Sequence, residues 1–360
     1  MEKISVDVGY KNYYVILGSN ILDELENFLR GKKFSDKVLI ISDTNVFPLY
    51  GEKISEVFKK AGYTPLNHVV QAGESAKCLD VANDIYTKAI SEKLDRKSLI
   101  VALGGGVVGD LAGFIASTFL RGVPFIQIPT TLLAAVDSSV GGKVGINHPL
   151  GKNLIGAFYQ PDAVFIDVTF LKSLPEREVR TGFGEIVKYG IIGDENFVSY
   201  LEANSAKILD IDEDIYIKII SKSVRAKADV VMKDEKEGDL RRILNFGHTV
   251  GHAVEKETNF KKYNHGEAVA IGIVAAMKIG EILKLTDSED TSRIENLLKS
   301  LNLPIRAEGV TLDGIQAAMK NDKKAVNGKI YFVLPNKIGR VIIETVEDNV
   351  VEEAVKYIIN

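Results

Sequence analysis

The segment LNFGHTVGHAVE, residues 244–255, sets two imidazoles four residues apart in a chain with five histidines. On a helix His248 and His252 share a face, where they could bind a metal ion or pass a proton. Thr249 follows His248, so the glutamate base of an H-E-x-x-H peptidase is missing and proteolysis is disfavoured. A third imidazole, His265, opens the apolar run of HGEAVAIG, after a connection long enough to return it beside His248. Glu185, in TGFGEIVKYG, adds a carboxylate, and Lys188 lies on nearly the same helical face. One glutamate and two histidines around a cation with an open position make a catalytic zinc site. Spacing alone leaves one of the three histidines over. Arg241, Asn245, His248 and His252 fall at i, i+4, i+7 and i+11, a single polar stripe if one helix runs through Asp239–Lys256. Gly247 and Gly251 flank that stripe, and each costs a helix about 1 kcal/mol relative to alanine. Such residues point to something approaching the backbone closely, so the stripe is expected to line a cleft.

A second chemistry-bearing segment is SLIVALGGGVVGD, Ser98 to Asp110, where a β-like run ends in Gly104, Gly106 and Gly109 before an apolar helix. Glycines at G-x-G-x-x-G spacing let a pyrophosphate approach backbone N–H groups at a helix N-terminus. The turn departs from the dinucleotide fingerprint: it lies in a later strand–helix unit, and no acidic residue follows at about twenty residues. The nearest acid able to reach a ribose hydroxyl is upstream, Asp43 in LIISDTNV. A third segment, TTLLAAVDSSVGGKVGINHPLGKNLIGAFYQP from Thr130, carries Asp137, Lys143, Lys152 and Asn153 and has no long apolar run after Val140. It reads as a loop ordered by a ligand or a neighbouring domain. With Arg121, Lys227 and Arg241, its cations suit a substrate bearing several negative charges.

The elements that must position these groups follow from periodicity. From Lys37 to about Val168 the short runs KVLIIS, NHVVQ, SLIVALGGG, PFIQIP and VFIDV alternate with helical patterns, which predicts a mostly parallel, helix-covered sheet. Beyond SLPEREVR the period becomes helical, in Gly182–Ile192, Asp214–Met232, Asp239–Lys256, His265–Leu285, Ser292–Leu301 and near Val350–Ile358. KIYFVLP and RVIIETV could form a hairpin or rejoin the sheet. The reading is an α/β domain over residues 1–170 and a mostly helical domain over 171–360. The 360 residues, 46% hydrophobic, suffice for two domains of ordinary size. Net charge −4 gives no reason to expect nucleic acid or an anionic membrane as partner. The single cysteine, Cys78, excludes an internal disulfide, so any metal must use His, Glu or Asp. The run AVAIGIVAAMKIGEIL is too short to span a bilayer, and MEKISVDVGY lacks a signal-peptide profile, so a cytoplasmic protein is expected.

Taken together, GGGVVGD, AVDSSVGGKVGINHPLGKNLIGAFYQP, GFGEIVKYG, NFGHTVGHAVE and HGEAVAIG, in this order and at these distances, resemble the 3-dehydroquinate synthase family from about Lys37 to Lys324. The resemblance implies an N-terminal Rossmann-like NAD-binding domain and a mainly α-helical C-terminal domain for metal and substrate. It implies Glu185, His248 and His265 as ligands of Zn2+ or Co2+, with His252 handling protons near a phosphate. Asp137, Lys143, Lys188 and Asn245 would join His252 in catalysis. Lys152, Asn153, Lys227, Arg241 and Lys324, or its neighbour Lys323, would bind substrate, and Arg121 would arrive across a homodimer interface. Asp43, Glu74, Lys77, Gly105, Gly106, Asp110, Thr130 and Thr131, with Lys143 and Lys152, would contact NAD.

The implied reaction turns a seven-carbon keto acid phosphate, DAHP, into 3-dehydroquinate and phosphate. Transient oxidation by NAD acidifies a C–H, phosphate leaves by β-elimination, the ketone is reduced again, and an intramolecular aldol step closes the ring. Three alternatives stay open. Another sugar phosphate cyclase differs only in its pocket, and the Lys227–Arg241 pair favours a substrate with a carboxylate. A metal-dependent polyol or glycerol phosphate dehydrogenase would release NADH. A nucleotide-binding regulatory module would have no need to keep Glu185, His248 and His265 together.

Overall fold

Runs such as KVLIIS and LIVALG are apolar at successive positions, the pattern of strands covered on both faces. In the structure, a computed structural model describing residues 1–320 and 330–359, they are central strands of a seven-stranded sheet. The chain divides into two compact units: Met1–Leu174 with Val231–Glu235, and Pro175–Val230 with Lys236–Asn360.

The first unit runs β1 (Glu2–Asp7), β2 (Asn12–Gly18), α1 (Leu22–Arg30), β3 (Lys37–Asp43), α2 (Glu52–Lys60), β4 (Thr64–Val70), α3 (Leu79–Ser91), β5 (Leu99–Gly104) and α4 (Gly106–Thr118). β6 (Phe125–Pro129), β7 (Lys143–His148), β8 (Gly151–Phe158) and β9 (Ala163–Asp167) complete it. The sheet order is β1-β2-β9-β6-β5-β3-β4, parallel throughout except for the β1–β2 pair. Strand alternation splits the core in two. Leu39, Ile41, Ile100 and Ala102 pack with residues of α3 and α4, whereas Val38, Ile40, Leu99, Val101 and Leu103 pack with residues of α1 and α2.

From β3 the chain steps outward to β4, then returns to place β5, β6 and β9 on the other side. Strand order therefore reverses between β3 and β5. The crevice outside the carboxyl ends of such strands is where open α/β sheets bind ligands. Asp43 ends β3 and Gly104 ends β5, so the two candidate cofactor segments share that reversal.

The segment read as a ligand-ordered loop is instead the antiparallel β7–β8 hairpin. Ile146 anchors it in the core cluster that also holds α4 residues. Gly145 pairs with Gly156, and a Cβ on Gly145 would meet the Ile155 carbonyl at 2.8 Å. Glycines here serve close strand approach. The N-terminal hairpin β1–β2 has no counterpart in the sequence reading; β1 alternates exposed and buried residues, whereas β2 is buried at four successive positions, Val15 to Gly18.

The second unit contains α5 (Glu176–Gly193), α6 (Glu195–Leu209), α7 (Glu213–Lys233), α8 (His248–Glu257), α9 (His265–Ile282), α10 (Ser288–Ser300), α11 (Leu312–Lys320), β10 (Tyr331–Lys337), β11 (Arg340–Thr345) and α12 (Asp348–Ile358). The last residues of α7 fall within the Val231–Glu235 stretch of the first unit. β10 and β11 pair as a separate antiparallel hairpin, which resolves the two options left open for those runs. Helices α6 and α11 were not anticipated. Among the described residues no helix is long and apolar enough to cross a membrane.

The continuous helix expected over Asp239–Lys256 does not form. A 3-10 turn, Leu240–Asn245, ends before Gly247, whose left-handed φ of 77° precedes α8. Arg241 and Asn245 therefore do not share a helical stripe with His248 and His252. The physical reason is Gly247: residues with a Cβ rarely adopt that conformation.

Candidate metal centre

Three helices bring the ligands together by approaching backbone to backbone. α9 is buried along nearly its whole length from Gly266 to Gly280, as its uninterrupted apolar sequence requires. A Cβ on Gly266 would strike the Thr181 carbonyl of α5, and one on Gly272 would strike the Gly247 carbonyl at the start of α8. Gly251 of α8 faces the Ala268 carbonyl of α9, where a Cβ would sit 2.9 Å away. The amino end of α9 is fixed by a reciprocal cap between Asn264 and Glu267, and Arg177 of α5 forks onto the same Glu267 carboxylate at 2.9 and 2.7 Å.

On this frame Oε1 of Glu185 lies 3.3 Å from Nε2 of His248 and 3.3 Å from Nε2 of His265. Ligands held about 2.0–2.1 Å from a tetrahedral zinc ion lie about 3.3 Å from one another, so the donor set has the spacing that such an ion needs. The tautomers agree. Nδ1–H of His248 donates to the Phe246 carbonyl at 3.0 Å, which turns the Nε2 lone pair toward Glu185. Oε1 of Glu185 is buried without a hydrogen-bond partner, so two lone pairs face each other where a cation would satisfy both. Lys188 pairs with the other oxygen, Oε2, and lies over the Tyr189 ring at 4.7 Å.

Electrostatics follow from this packing. Burial by itself would raise the Glu185 carboxyl, but Lys188, His248 and His265 hold it well below the usual carboxylate range. Burial pushes His248 down to about 4 despite Glu185 beside it. Burial would also lower His265, but Glu185 at one nitrogen and Glu255 at the other push it up to about 10. The His252 ring stands 5.3 Å from that of His248 and 5.9 Å from that of His265.

Elsewhere in the second unit Lys227 and Arg241 are buried cations, and Asn245 Nδ2 donates to Glu237 Oε1 at 3.1 Å. The sequence reading missed Glu237 and Glu255. Glu255 lies seven residues past His248, on the same helical face, so the spacing that marked His252 would also have marked it. Lys324 and Lys323 lie outside the described residues.

In the first unit, Lys77 Nζ donates to Asp110 Oδ2 and to Asn153 Oδ1, both at 2.6 Å, with Glu74 Oε1 at 3.9 Å. Asn147 bridges this group by donating to Glu74 at 2.8 Å and accepting from the Asn153 amide at 2.9 Å. Asp43 accepts from the amides of Asn45 and Val46 at 2.8 and 3.0 Å, fixing its carboxylate at the end of β3. Gly105 is the N-cap of α4 and Gly106 its first residue, and a Cβ on Gly105 would meet Thr131 at 3.0 Å. The Thr130 hydroxyl is buried without a hydrogen-bond partner. An open helix N-terminus and an orphaned hydroxyl at a strand reversal fit a dinucleotide's phosphates and hydroxyls. Asp137 lies in the helical turn Ala134–Ser138 ahead of the hairpin, while Lys143 and Lys152 are exposed on β7 and β8. Arg121, exposed after α4, takes a φ of 70°.

Comparison with known proteins gives a consistent result. The family model for the 3-dehydroquinate synthase N-terminal domain matches residues 67–181, and that for its C-terminal domain matches residues 182–325. The chain is 46% identical over 342 residues, 95% of each sequence, to a 3-dehydroquinate synthase of Desulforamulus reducens. Among solved structures it is similar to a 2-deoxy-scyllo-inosose synthase complexed with carbaglucose-6-phosphate, NAD+ and Co2+, at TM-score 0.90 and 27% identity over 99% of this chain and 100% of that one. It is also similar to the 2-epi-5-epi-valiolone synthase of Streptomyces hygroscopicus with NAD+ and Zn2+ bound, at TM-score 0.88 and 26% identity over 99% and 98% of the two chains.

Proposed function

Because the chain belongs to the 3-dehydroquinate synthase family, we propose that it is a phosphate-eliminating lyase converting DAHP into 3-dehydroquinate and phosphate, with NAD and a divalent cation, zinc or cobalt. The observation that carries the metal part is the single buried Glu185 oxygen 3.3 Å from two imidazole nitrogens.

When bound, the cation would polarise a substrate oxygen and lower the pKa of its alcohol, while NAD takes and returns one hydride. Glu185, His248 and His265 would hold the cation. Lys188 neutralises Oε2 of Glu185, which keeps that carboxylate ionised and its other oxygen available. Lys227 and Arg241, both buried, would bind the substrate's anionic groups and stabilise charge developing on departing phosphate. His252, beside both metal-ligand histidines but outside the triad, would move the proton that accompanies elimination. Asn245, held by Glu237, would orient a substrate hydroxyl. Asp43, the Gly105–Gly106 turn and Thr130 would seat the dinucleotide, joined by Glu74, Lys77, Asp110 and Thr131. Asp137, Lys143, Lys152 and Asn153 complete the proposed set in the first unit. The reading also takes the enzyme as a cytoplasmic homodimer whose Arg121 reaches the partner subunit.

The test supplies DAHP, NAD and cobalt and follows inorganic phosphate together with nicotinamide absorbance. Stoichiometric phosphate with no accumulation of NADH is expected, and chelator stripping should abolish it. Steady NADH growth on a polyol would instead select the dehydrogenase reading. His252→Ala should retain its metal and lose about 100-fold or more in turnover. Full turnover of that variant with metal bound would remove the proton-transfer role.

A further inference from the structure

We propose that Glu255 is the positioning residue for His265, presenting its Nε2 to the metal by holding Nδ1. This inference rests on the metal reading above and deepens it. Oε1 of Glu255 faces Nδ1 of His265 at 3.4 Å, while Nε2 of the same ring faces Glu185 at 3.3 Å. The ring is thus set between two carboxylates, one on α5 and one on α8. The Glu255 side chain is only 12% exposed, so it is a largely desolvated group placed at the site by its helix.

The need is physical. His248 has its tautomer set by the Phe246 carbonyl on the turn into α8. His265 is the first residue of α9, and the group facing its Nδ1 is the Glu255 carboxylate rather than a backbone carbonyl. A carboxylate accepting from Nδ1–H selects the tautomer with Nε2 bare, fixes the ring plane and makes Nε2 a stronger donor. The same helix, α8, then carries one ligand, His248, and the group that orients another. The competing use of these atoms is a second cation, since His252, Glu255 and His265 offer donor atoms within 4.8 Å of one another. That use would require the His265 ring to surrender both protons, which disfavours it once Nε2 is on a metal.

The experiment uses chelator-stripped full-length protein titrated with cobalt, following the visible d–d bands and the bound metal per chain. Two acceptor-free variants of different volume, Glu255→Met and Glu255→Ala, guard against one failing to fold. Glu255→Gln keeps an acceptor. Each acceptor-free variant that folds should bind cobalt about 10- to 100-fold more weakly with displaced bands. Glu255→Gln should keep the wild-type band positions with a smaller loss. Wild-type affinity and spectrum in an acceptor-free variant would overturn the proposal. Two cobalt ions per wild-type chain, one of them lost with Glu255, would overturn it in favour of a ligand role. Failure of wild-type protein to bind cobalt at all would instead sink the metal reading, a distinct outcome.

Discussion

Protons compete with the metal at one residue above all. His265, pushed up to about 10, carries its proton at neutral pH, whereas His248, at about 4, is already bare. Metal uptake must therefore displace the His265 proton, and affinity rises with pH until that group is deprotonated. The expected outcome is an apparent cobalt dissociation constant that falls about tenfold per pH unit between pH 6 and 8. Titrations at two pH values check it, and a flat profile would show that metal uptake releases no proton from His265 in this range. Glu185→Gln removes the charge that both imidazoles face while leaving Lys188 buried beside a neutral amide. Purified Glu185→Gln is expected to carry little metal by elemental analysis and to be less stable by about 3 kcal/mol, the scale of breaking a buried pair.

Helices α5, α8 and α9 succeed as a scaffold because glycines replace side chains at their crossings. Gly272→Ala would force a methyl onto the Gly247 carbonyl, and the strain would separate α8 from α9 and so His248 from His265. A cost of about 3 kcal/mol is expected, read as a melting point lowered by about 4 °C, with cobalt affinity falling in parallel. Gly193, at the end of α5, has open space where a Cβ would go, so Gly193→Ala should leave both properties at wild-type values or better. Equal behaviour of the two variants would show that the close helix approach does not hold the site.

The two units divide the chemistry between them. The strand reversal with Asp43 and the Gly105–Gly106 turn belongs to the first unit, and the triad belongs to the second. Asp43→Ala is therefore expected to weaken NAD binding with unchanged cobalt content, and His248→Ala the reverse. Fluorescence titration with the dinucleotide alongside metal analysis separates them. A variant that loses both together would contradict this division.

Local chemistry was legible in the residues themselves. An all-apolar run ending in glycines must be a buried strand feeding a turn, so β5, Gly105 and α4 follow from the chain order alone. The uninterrupted apolar stretch after His265 could only be a buried helix. Period and composition, however, carry no information about partners far apart in the chain. Gly247 marks a close approach, as its type suggests, but the neighbour is the backbone of α9, where a Cβ would meet the Ile273 amide at 2.9 Å, and its positive φ also ends one segment and starts another. The β7–β8 hairpin looked like a loop because the contact that orders it, Ile146 in the α4-side core, is supplied by distant residues. Five histidines and a glutamate leave several pairings open; packing of α5 and α9 on α8 decides that Glu185 meets His248 and His265, and that Glu255 stands behind the latter. Side-chain type sets which chemistry a residue can do, but the few tenths of an ångström that make a metal site come from backbones in contact.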